Sequence, residues 1–113
     1  MQREETMPDT YKSVGTALSN TNETTVYSGI NPGTVIVNGI HVANVDASNS
    51  SAITLKLVKG ASSFHICRAV AVPVQSSYQA LDTPIVLEAG NTLTATAANA
   101  NRLEVIVSVL EIT

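Results

Sequence analysis

Tryptophan is absent from this 113-residue chain, and its aromatic residues amount to one phenylalanine and three tyrosines. A single cysteine, Cys67, excludes an internal disulfide and a cysteine-rich zinc site. Stability must therefore come from packing. Basic residues number only six, are scattered along the chain, and leave a net charge of -3, which is the wrong footprint for a nucleic-acid binder. No apolar run approaches the roughly 18 residues of a membrane span. The opening MQREETMPD is too polar for a signal-peptide core, so a soluble protein made in a cytoplasm is expected, with no nucleic-acid or membrane partner.

What the chain has in quantity is β-branched residues: 14 valines, 8 isoleucines and 13 threonines. Such side chains favour the pleated, half-buried surface of a sheet, and nothing reads as helix. Strand-like runs fall near 11–18, 24–28, 34–45, 52–59, 63–74, 84–88, 91–97 and 102–112. Between them lie clusters of turn-forming residues, such as Asn31-Pro32-Gly33, Asp46 to Ser51 and Gln75 to Thr83. The pattern predicts an all-β, single-domain antiparallel β-sandwich of jelly-roll or Greek-key type with about eight strands, spanning 10–113. Residues 1–9 are polar and without period, and read as an extended N-terminal arm.

The stretch TVIVNGIHVANV, residues 34–45, has two readings. Asn38-Gly39 between apolar residues is a strong two-residue hairpin signal; alternatively the stretch is one long strand with a bulge or bend at Gly39. The continuous strand is preferred, because it and the turn after it would pair with ITLKLV at 53–58.

Faces say more than strand counts. In RLEVIVSVLEI, 102–112, Leu103, Val105, Val107 and Val109 make an aliphatic row fit for the inter-sheet core. The other face also carries Ile106, Leu110 and Ile112. In 63–74 the alternation places Phe64, Ile66, Val70, Val72 and Val74 on one face and Cys67, Ala69 and Ala71 on the other. Apolar residues on both faces point either to a subunit interface, for which Ile106, Leu110 and Ile112 are the candidates, or to a central strand covered by a loop.

Catalytic chemistry has little to rest on. His65 and Cys67 are two apart and would share a strand face, with His41 in a neighbouring strand, but three such residues without a carboxylate make a thin metal or thiol site. Strand histidine and buried cysteine account for the same letters. Glu104 and Glu111 alternate with aliphatics as solvent-side charges do, and together with Glu88 are the only carboxylates worth pairing. No nucleophile-elbow, phosphate-loop, zinc-protease or calcium-loop motif occurs. An enzyme is not expected, nor a catalytic residue, metal or cofactor. A glycan-binding module would need exposed aromatics, for which Tyr11, Tyr27 and Tyr78 are the candidates.

Three segments, NPGTVIVNGIHVANVD, ITLKLVKG and PIVLEAGNTLTATAANANRLEVIVSVLEI, give an order of turn and strand features that resembles small β-sandwich virion proteins of tailed bacteriophages. The likeness covers about nine tenths of the chain, with Asn38-Gly39 interrupting what looks like a continuous strand in such proteins. It implies a structural virion protein, a capsid decoration or cement protein that binds the major capsid protein and itself, by analogy as a trimer. The arm, Met1, Gln2, Arg3, Glu4, Glu5, Thr6, Met7, Pro8 and Asp9, would then bind the shell. A neck or tail accessory protein and a host-surface or glycan-binding module on the particle are the alternatives.

Overall fold

In a computed structural model the described residues, 9–113, form nine strands in two antiparallel sheets. These are β1 (Asp9–Leu18), β2 (Thr24–Ser28), β3 (Thr34–Asn44), β4 (Ser51–Lys59), β5 (Ser62–Val72), β6 (Ser77–Gln79), β7 (Ile85–Leu87), β8 (Thr92–Ala97) and β9 (Leu103–Ile112). The first sheet runs β1-β9-β3-β6, with β7 beside β3, and the second runs β2-β8-β4-β5. Except at the β4–β5 and β6–β7 connections, consecutive strands lie in opposite sheets. This alternation is the double Greek key of a jelly roll.

The ninth strand arises inside the region expected to be a turn, Gln75 to Thr83. β6 pairs with His41 to Ala43 and β7 with Val35 to Val37, so together they occupy one strand position, split in two. The split lies alongside Asn38, where β3 itself is irregular: the register with β9 passes from Val37↔Val109 to Gly39↔Ser108. Asn38 is thus a bulge residue within a continuous strand, and the hairpin reading fails. The expected pairing of this strand with 53–58 is not made either. β4 lies in the opposite sheet, because the turn from Asp46 onward carries the chain across the sandwich.

The bulge has a physical purpose. Val35 and Val37 face the core before it, and Ile40 and Val42 after it, all fully buried. The odd spacing between Val37 and Ile40 would put one pair in water in a regular strand; one extra residue restores the phase. Opposite them, Leu103, Val105, Val107 and Val109 are buried as their alternation predicted, and Ile53, Leu55, Leu93, Ala95 and Ala97 close the core from the second sheet.

In β5 the expected alternation breaks. Register shifts against β4 fall between Ile53 and Leu55 and again between Leu55 and Lys56, with Ala69 at positive φ. Each shift reverses the faces. Val72 is buried, Cys67, Val70 and Ile66 pack at the core margin, and Phe64 is 56% exposed. The single face proposed for Phe64, Ile66, Val70, Val72 and Val74 therefore does not exist.

The proposed arm lies outside the described residues except for Asp9, which is the first residue of β1, opposite Ile112.

Candidate interaction face

The His65, Cys67 and His41 grouping is dispersed. His65 pairs with Lys56 and Cys67 with Leu55, and adjacent strand residues point to opposite faces, so the bulge at Ile66 puts the two on opposite sides of the sheet. His41 is in the other sheet, its Nδ1 3.3 Å from Gln79 Oε1. Burial pushes the Cys67 thiol above its ordinary pKa, the reverse of what a nucleophile needs. Among the described residues no three His, Cys, Asp or Glu side chains come together as metal ligands. The tyrosines also separate. Tyr11 is 77% exposed, Tyr27 is buried and Tyr78 packs against the core margin.

Glu111 was expected on the solvent side and is not there. Its row is Thr10, Glu111, Val35, Leu87, on the inner face, and its side chain is only 12% exposed. The Tyr27 hydroxyl, reaching across from the second sheet, donates to Glu111 Oε2, and Lys12 Nζ lies 3.2 Å from Oε1. These contacts, Tyr27 first, hold the Glu111 carboxyl below the usual range. Burial and the adjoining carboxylate push the Tyr27 phenol up. With Glu104 outward in β9 and Glu88 exposed and 3.3 Å from Lys59, the three glutamates occupy three different places, and no carboxylate pair results.

What the structure does assemble is a surface. Across the outer face of the first sheet, one row reads Tyr11, Leu110, Ile36, Val86. On one side of it lie Ile112 and Thr34, and on the other a low row of Ser13, Ser108 and Gly39, followed by Gly15, Ile106, His41 and Gln79. Ile106 is 43% exposed and Val86 53%, while Leu110, Ile112 and Ile36 are half-buried. All three candidate interface residues share this face. Ile36 and Val86 are not singled out by the sequence, and Tyr11 only as an aromatic for a glycan site, because cross-strand rows depend on register, which no single segment reveals.

The second sheet's outer face is of another kind. Its rows are Thr25, Thr94, Lys56, His65 and Ser28, Thr92, Val58, Ser63, with Thr96 beside Thr54. Thr94 Oγ1 donates to Glu23 Oε2 at 2.7 Å, and Lys56 Nζ lies 3.9 Å from Glu23 Oε1. One outer face of the sandwich is built for water and the other is substantially apolar.

No protein-family model matches the chain, and no characterised protein matches it in sequence.

Proposed function

We propose that this chain is a non-enzymatic structural protein that works by docking, and that its setting is the one the sequence resemblance implies: the virion of a tailed bacteriophage, as a capsid decoration protein that binds the coat-protein shell. The observation that carries the docking half of this reading is the apolar row Tyr11, Leu110, Ile36, Val86 on the outside of one sheet, against a threonine-rich, charged outside on the other. The virion half rests on the resemblance alone.

Magnitude agrees with such a role. At about 3.3 Å per residue and about 4.8 Å per strand, a face ten residues long and four strands wide offers about 600 Å². That is less than the roughly 800 Å² per partner of a stable interface. A single contact of this size is weak, and it becomes useful when many copies bind one scaffold at high effective concentration.

The test is the copy number per particle in purified virus, by quantitative mass spectrometry against the major coat protein. Hundreds of copies are expected. A dozen or fewer would move the protein to the neck or tail, and absence from the particle would overturn the virion reading.

A further inference from the structure

We infer that β1 is a pairing edge for a second copy of this chain: two β1 strands join antiparallel about a two-fold axis, and Tyr11 of each copy enters a depression beside β1 of the other. The inference goes beyond the docking reading, does not depend on a virion, and sets a two-fold pair in place of the trimer that the resemblance implies.

An accounting of sheet edges leads to it. Exposed strand edges recruit other strands, and proteins blunt them with bulges, short strands or charges. β2 is five residues long with a register shift between Thr25 and Tyr27. β5 has two shifts and a left-handed residue, Ala69. β6 and β7 have three residues each. Among the described edge strands β1 alone has none of these devices: ten residues, no proline within Asp9–Leu18, and an unbroken register from Asp9↔Ile112 to Leu18↔Leu103. Its one basic side chain, Lys12, is turned onto Glu111 of its own chain.

The outer surface of β1 is also self-complementary. At one end stands the exposed Tyr11 ring. Toward the other lies a shallow depression of about 290 Å³ lined by Gly15, Thr16, Ala17, Glu104, Val105 and Ile106. Antiparallel pairing sets residues of like facing opposite each other. Centred on Ser13 it puts Tyr11 against the second copy's Gly15, and centred on Val14 against the second copy's Ala17. Either way the ring meets the depression, twice over by symmetry. A two-fold axis perpendicular to the sheet keeps both apolar outer faces on the same side, so the pair presents one continuous face of about 1,200 Å² by the same spacing.

Gly15 separates docking from folding. A Cβ built there meets nothing within 4 Å, so a side chain can start there without displacing a neighbour, and Gly15→Lys is expected to keep the fold while filling the depression. Sedimentation velocity on the full chain is expected to show a concentration-dependent dimer, with Kd raised at least about tenfold by Gly15→Lys and the thermal midpoint unchanged at dilutions where both chains are monomeric. In a Cys67→Ser background, Ser13→Cys or Val14→Cys is expected to give a disulfide-linked pair. A monomer up to the solubility limit, a trimer, an oligomer indifferent to Gly15→Lys, or a dimer in which neither cysteine cross-links would each overturn the inference.

Discussion

The Tyr27 hydroxyl and the Glu111 carboxylate meet between the two sheets, tying β2 to β9 across the sandwich. Tyr27→Phe removes the donor and leaves a carboxylate at 12% exposure with Lys12 alone. A loss of about 1 to 2 kcal/mol is expected in urea unfolding at neutral pH. Lys12→Ala, at a side chain 52% exposed, should cost no more than about 0.5 kcal/mol.

The same contact predicts an acid dependence. Glu111 holds its proton less tightly in the folded chain, chiefly because of Tyr27, so its contribution is complete above the unfolded value of about 4.3. It is lost as pH falls through the lower folded value, where the unfolded state binds more protons. Urea titrations of the wild type and Glu111→Gln should therefore differ at pH 7 and converge in acid. A gap that widens toward low pH would show that Glu111 is not held as the carboxylate.

Asn44, only 3% exposed, joins three segments. Its Nδ2 donates to the Asn49 and Val72 carbonyls at 3.0 Å, and its Oδ1 accepts from the Asp46 amide at 2.8 Å. Asn44→Ala leaves backbone groups unpartnered, and a cost of about 2 to 3 kcal/mol is expected. Asn44→Asp turns a carboxylate toward two carbonyls, so its folded pKa should rise. Its destabilisation should then be worst at neutral pH and partly recover as acid protonates it. Chemical denaturation across pH reads both.

Much of this was legible where periodicity was local. The closing strand shows its buried face in Leu103, Val105, Val107 and Val109, and a two-layer β-sandwich follows from strand and turn spacing. The places that were misread are bulges and cross-strand relationships. In β5, counting by twos put His65 with Cys67, and one extra residue undid it. Glu111 continues the alternation of β9 inward, next to Lys12 and Tyr27, yet a glutamate among aliphatics reads as a solvent charge until its partners are known. Asn38 was decipherable: the three-residue step from Val37 to Ile40 already demanded a bulge if both were to be buried.

That step yields its own prediction. Deleting Asn38 forces β3 either to bury Val35 and Val37 or to bury Ile40 and Val42, because a one-residue slip moves a whole set to the other face. Exposing two fully buried residues at roughly 1.5 to 3 kcal/mol each takes a large part of the roughly 5 to 15 kcal/mol that stabilises a domain. The deletion variant is expected to lose cooperative thermal unfolding, whereas Asn38→Ala, which keeps the residue count, should retain it.

The two faces of β9 offer the sharpest separation of stability from function. Val107 is fully buried, and Val107→Ala should lower stability by about 2 kcal/mol through lost burial and an unfilled space. Ile106, its neighbour, is 43% exposed on the outer face, and Ile106→Ser should change stability by less than about 1 kcal/mol. Docking should respond in the opposite order. Combined with Leu110→Ser, the outer change removes apolar surface from two rows of the face that we assign to docking and puts hydroxyls in its place. Binding of the purified variants to undecorated shells, measured by co-sedimentation, should fall at least about tenfold for Ile106→Ser with Leu110→Ser and stay near wild type for Val107→Ala at temperatures where it remains folded. Undiminished binding by the outer-face variant would mean that the apolar face is not the docking surface, however well it is built for one.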